Sequence, residues 1–161
     1  MWIWIADHGA TCDEGDTALQ IGPRLACVKY LDERQSAYFL QQAVETIDAQ
    51  IAVARPSRNC TTLVDPDAIS GKIAVIDDAT CVLNVTRLLP ALANARAVVL
   101  IMPDTLMPTI RNVVSDFAPF PSTDGFDFSN MNGIPVFVAS SAHDGAILRE
   151  GVGDQASLSI G

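Results

Sequence analysis

Residues 72–101 carry the pattern that most restricts how this chain can fold: an apolar run, a helical period and a second apolar run within about thirty residues. KIAVID at 72–77 follows the turn pair Ser70-Gly71, and AVVLIM at 97–102 is ended by Pro103. Short β-branched runs bounded by such breakers read as buried strands. Between them, apolar residues at 82, 85, 88, 89, 92 and 93 recur with a helical period. Pro90 falls inside that helix and has no N–H to offer the carbonyl of Thr86, so a bend is expected there. Strand, helix and strand at this spacing predict two parallel strands joined by a right-handed crossover.

A second succession of the same kind follows. IPVFVA at 134–139 reads as a strand, Ser141-Ala142-His143-Asp144 fits a capping box, AILRE continues the helix, and Gly151 ends it. The tail QASLSI alternates Ala156, Leu158 and Ile160 with Ser157 and Ser159, the pattern of a half-exposed strand. The expected class is therefore α/β in the mixed α+β sense, with two βαβ-type units. Residues 104–133 separate the units; TLMPTIRNVVSDF has room for a short helix, and APFPSTDGFDFSNMNG is loop by composition. This segment holds Phe117, Phe120, Phe126 and Phe128, which either tuck under as a satellite cluster or form a contact surface. In the first half, WIWIA at 2–6 and IAVARP at 51–56 read as strands, the latter ended by Pro56. Between residues 36 and 50 the apolar positions 37, 40, 43, 44 and 47 favour a helix by spacing, yet SAYFLQQAV also suits an edge strand, and the segment stays open.

Composition removes several classes of function. At 161 residues the chain has room for one compact core and not for two ordinary domains. No apolar run reaches the roughly 18 residues needed to cross a bilayer. Nineteen acidic residues against ten basic ones give a formal charge of −9, and the cations are scattered. Nucleic acid and anionic membrane are poor partners for such a surface, because affinity for phosphate rests on clustered cations. The start MWIWIADHG lacks a basic n-region and does not fit a secretory signal; the chain is then either cytosolic or a mature piece. Four cysteines without CxxC spacing suit two disulfides better than a zinc site, and the sequons at Asn59 and Asn84 fit an exported protein. A secreted or luminal setting is the expectation.

Candidate catalytic groups are few. Ser140, Ser141, His143 and Asp144 look like a triad written in one line, but neighbours at a helix start point in different directions, and capping accounts for them. No GxSxG elbow is present. His8 and His143 lack the spacing of a metal site, and the acidic stretches DEGD, DPD and DGFDFSN lack the ladder of a calcium loop. GVGD at 151–154 follows a helix rather than a strand, so it is not a phosphate loop. No cofactor, no metal and no catalytic residue is expected.

The order of these segments resembles a known family. GKIAVID, a cysteine, an amphipathic helix, ALANARA, AVVLIM, and later GIPVFVASSAHDGAILRE are similar to the protease-associated domain, and AVARPSRNC resembles the segment in which that family places a partner cysteine. The likeness spans roughly residues 51–160 and leaves residues 1–35 as an unassigned extension before a domain at 36–161. The chain departs from the family at Asp77-Asp78-Ala79-Thr80, where Arg-Gly is common, and at Asn94-Ala95-Arg96-Ala97, where Ala-Gly-Ala is usual. The resemblance implies a β-rich barrel or sandwich with flanking helices. It also implies a Cys60–Cys81 bond, leaving Cys12 with Cys27, and a non-catalytic module that contacts a protein or peptide. The alternative is a fragment or regulatory insert of a secreted peptidase whose catalytic residues lie elsewhere.

Ligands of open α/β sheets gather beyond the carboxyl ends of parallel strands. Here that edge is Asp77, Asp78, Ala79 and Thr80, joined by Asp104, with Phe120 and Phe126 from the long loop completing a candidate partner-binding set. Thr80 is expected to cap the following helix, and Asp78 suits either a cap or a contact.

Overall fold

A computed structural model describes residues 12, 16–31, 46–77, 81, 88–101 and 134–159. Seven strands close into a barrel: β1 (Thr17–Ile21), β2 (Arg24–Tyr30), β3 (Thr46–Val53), β4 (Ile73–Ile76), β5 (Ala97–Leu100), β6 (Val136–Ala139) and β7 (Gln155–Ser159). Around the ring the order is β1-β2-β6-β5-β4-β3-β7. The strands β3, β4, β5 and β6 run parallel; β7, β1 and β2 complete the circle through antiparallel pairs. One α-helix, α1 (Ala142–Glu150), and two 3₁₀ turns, Pro66–Ile69 and Leu89–Leu92, accompany them among the described residues.

Side-chain alternation builds two cores from one sheet. Ile73 and Val75 of β4, Ala97 and Val99 of β5, and Phe137 and Ala139 of β6 point inward to meet Leu19, Ile21, Ala26, Val28, Ile47, Ala49, Ile51, Ala156 and Leu158. The intervening Ala74, Ile76, Val98, Leu100, Val136 and Val138 face outward into a second cluster with Leu63, Ile69, Leu88 and Leu92. Both faces of these three strands are buried, which is why they read as unbroken apolar runs. β3 and β7 are covered on one face only and alternate buried with exposed or half-buried residues.

The first strand–helix–strand expectation holds in its strands. β4 and β5 are adjacent and parallel, with Ile73 opposite Ala97 and Ile76 opposite Leu100. Cys81 and Leu88 have helical backbone, residues 82–87 lie outside the described residues, and the chain passes into the 3₁₀ turn Leu89–Leu92 at Pro90. A residue without an N–H at that point ends the α pattern rather than bending it.

The second unit is not a βαβ crossover. β6 and β7 are not neighbours; β7 lies between β1 and β3 and is antiparallel to both. The reason is the work done by α1. Its Ile147 and Leu148 belong to the interior cluster, a Cβ on Gly145 would lie 2.9 Å from Ile101 Cγ2, and one on Gly151 would lie 3.0 Å from Ile21 Cγ2. The helix therefore sits across the mouth of the barrel as a plug and delivers the chain to a different part of the ring.

Residues 17–30, within the stretch that the sequence reading left as an extension, supply β1 and β2. A boundary at residue 35 thus cuts through the ring. These strands form a hairpin with the two-residue loop Gly22-Pro23, and Gly22 has φ +58°, the left-handed value that the first loop position of a II′ hairpin requires. Of residues 36–50, 46–50 are strand, continuous with the expected strand at 51. The expected strand at 2–6 lies outside the described residues.

Tyr30, at the end of β2, stacks against Phe137 with ring centroids 4.5 Å apart. Burial pushes its hydroxyl up to about 12 from an ordinary 10.0. The folded chain keeps this proton while the unfolded chain releases it, so the stability it provides is complete below about pH 10 and is lost as pH rises toward about 12. Denaturant midpoints followed through that interval should fall more steeply for the wild type than for Tyr30→Phe. Equal slopes would remove Tyr30 as the cause.

Candidate functional site

The carboxyl ends of β4, β5 and β6 lie at the mouth that α1 covers, the edge where the sequence placed a contact site. Local chemistry fixes the helix there. Ser141, with φ −155° and ψ 170°, is the N-cap, and its hydroxyl oxygen accepts from the Asp144 N–H at 3.1 Å. Asp144, only 8% exposed, uses its carboxylate twice: Oδ2 accepts from the Ser141 hydroxyl at 2.7 Å, and Oδ1 accepts from the Cys27 backbone N–H at 2.9 Å. This differs from an ordinary capping box, where the acid reaches back to the N-cap N–H. Here it reaches across to β2. Cys27 also accepts from the Ser140 N–H at 2.9 Å and is bonded to Cys12. Ser140, Ser141 and Asp144 are thus part of a clamp between α1 and β2, while His143 is exposed.

Asp77, the first residue past β4, is the member of the predicted contact set whose surroundings are described. Its Oδ2 accepts from Arg149 Nε at 2.7 Å and its Oδ1 from Arg149 Nη2 at 2.9 Å, a two-pronged bond that ties the end of β4 to the last turn of α1. Side-chain exposures of 35% and 44% limit what the pair contributes to about 1 kcal/mol or less. A double-mutant cycle with Asp77→Ala and Arg149→Ala should return a coupling of about 0.5 to 1 kcal/mol; none at all would mean that the pair does not persist in solution. Asp78, Ala79, Thr80, Asp104, Phe120 and Phe126 lie outside the described residues.

Both disulfides are present. Cys12 is bonded to Cys27 and Cys60 to Cys81, with Cα separations of 5.5 and 5.4 Å. Cys60 lies in a tight turn and has φ +57°, a value that favours glycine. Beside it, the Asn59 side-chain oxygen accepts from the hydroxyls of Ser57 at 2.9 Å and Thr61 at 2.7 Å; Asn59 itself is exposed. Asn84 lies outside the described residues.

Sequence reasoning missed a cleft on the flank of β3. A cavity of ≈ 350 Å³ lies among β3, the 3₁₀ turn Pro66–Ile69 and the turn after α1, with Arg55, Asp65, Lys72 and Val152 on its walls. Arg55 also borders a shallower depression of ≈ 420 Å³ that reaches Pro56 and Asp77. The Gln50 side chain donates to the Gly153 carbonyl at 2.6 Å and joins two walls of the cleft. The available signal was weak: Arg55 and Lys72 are seventeen positions apart in sequence, and only the parallel pairing of β3 with β4 brings their neighbourhoods together. Among the described residues no group of three or more His, Cys, Asp or Glu is arranged to hold a metal ion, and no helix is long and apolar enough to cross a membrane. Comparison with protein-family models, curated proteins and solved structures gave no match.

Proposed function

We propose that this chain is a non-catalytic module of the protease-associated type that contacts a protein or peptide partner in a secreted or luminal setting. The observation that supports it best is the filled and plugged barrel. Phe137, Leu19 and Ile51 are fully buried members of the interior cluster and α1 covers the mouth, which favours recognition on the outer surface. The disulfides suit an oxidising compartment, and Asn59 is an accessible glycan acceptor within that reading.

The test is a display selection of random peptides on the intact, oxidised protein, with the selected sequences then incubated with it in solution. Enrichment of a peptide class that is retained uncut is the expected result. Absence of any enrichment, or turnover of the retained peptides, would overturn the reading.

A further inference from the structure

We infer that the flank cleft on β3 is a binding site for an extended acidic peptide, with Arg55 and Lys72 as two separate anchors for its carboxylates. This rests on the peptide-contact reading and gives it a place and a ligand chemistry. Seven cations lie among the described residues. Arg24, Lys29 and Arg149 are committed to Glu150, Asp16 and Asp77, and Arg96 donates to the Asp48 carbonyl at 3.1 Å. Among the described residues, Arg55, Arg58 and Lys72 carry no ion pair or side-chain hydrogen bond, and two of these three stand on one cleft. A net charge of −9 disfavours an acidic partner on average, so a cleft that offers two uncommitted cations against the single carboxylate of Asp65 is, among the described residues, the place that favours one.

The spacing sets the form of the ligand. Ile51 stands opposite Ile73, so Lys72 is level with Gln50, and Arg55 lies five residues further along the same direction. At about 3.3 Å per extended residue the two anchors are about 16 Å apart at the backbone. A single carboxylate would meet both only if the two side chains extended toward each other, whereas an extended peptide with acids about five positions apart matches their backbone spacing. Val152, 39% exposed on the cleft wall, and Val64, 69% exposed and bonded through its N–H to the Arg55 carbonyl, are the exposed large apolar side chains among the described residues. They offer apolar contact beside the charges, the arrangement of a small peptide interface.

Binding of a fluorescent peptide with two Glu about five positions apart, blocked at both termini, tests this against its Gln counterpart. The Glu peptide should bind the wild type and weaken as salt rises from about 0.1 M to about 1 M. Arg55→Gln and Lys72→Gln should each lower affinity by about threefold to tenfold, with Arg58→Gln, an uncommitted cation not on this cleft, as the unchanged control. All three side chains are exposed or half-buried, and an unchanged thermal midpoint shows that each variant is folded. Equal binding of Glu and Gln peptides, or no loss in both cleft variants, would overturn the inference. Enrichment of neutral or basic peptides in the display selection would overturn it too while leaving the peptide-contact reading standing, and no enrichment would overturn both.

Discussion

Asp144→Ala is expected to lower the unfolding free energy by about 2 to 4 kcal/mol, the largest effect of any single polar substitution in the described residues. The carboxylate joins the start of α1 to β2, and its loss removes the partner of the Ser141 hydroxyl and leaves the Cys27 N–H unsatisfied beside a disulfide. Losing helix-start order costs about 1 kcal/mol, and the half-buried Cys27 N–H left without its acceptor costs about 1 to 3 kcal/mol more. Asp144→Asn keeps one oxygen acceptor and should lose roughly half as much. Urea unfolding of the oxidised protein measures both. An alanine variant within about 0.5 kcal/mol of wild type would mean that the clamp does not hold the plug in place.

Removing the second disulfide with Cys60→Ala and Cys81→Ala together should cost about 3 kcal/mol, the loop-closure value for a bridge across 21 residues. Both cysteines are buried in the outer cluster, 3% and 1% exposed, so alanine avoids adding a buried hydroxyl there. The backbone at Cys60 works in the opposite sense: its left-handed φ of +57° is unfavourable for any residue with a Cβ, so relaxation of the turn in the variant offsets part of the loss. Matching denaturant midpoints for the variant and the oxidised parent, with non-reducing peptide mapping to establish the parent's linkage, would refute this.

The sequence was readable where burial was two-sided. KIAVID, AVVLIM and IPVFVA stood out because both faces of β4, β5 and β6 are covered, and Ser141 to Gly151 announced a helix through its own end signals. β1 and β2 were missed although TALQI-GP-RLACVKY alternates around a two-residue turn, because Gly-Pro is less familiar there than Asn-Gly and the cover is one-sided. The antiparallel placement of β7 was hidden because a strand after a helix carries no mark of which neighbours it will join. Of the candidate site, Asp77 was recognised as lying at a strand end, but its engagement by Arg149, seventy-two residues away, is a tertiary fact. The β3 cleft likewise depends on pairing between distant segments.

Closure of the ring has a consequence for how any partner attaches. Each of the seven strands has a hydrogen-bonded neighbour on either side, so none is open along its whole length; the unpaired stretches that remain are short, as where β3 pairs with β7 over Thr46–Gln50 and with β4 over Ile51–Val53. Strand addition, in which a sheet captures an extended peptide through its backbone, finds no full-length edge among the described strands. Side chains would then carry most of any recognition, and affinity should respond more to single substitutions than to peptide length. The same lack of a full-length edge among the described strands disfavours edge-to-edge pairing between copies.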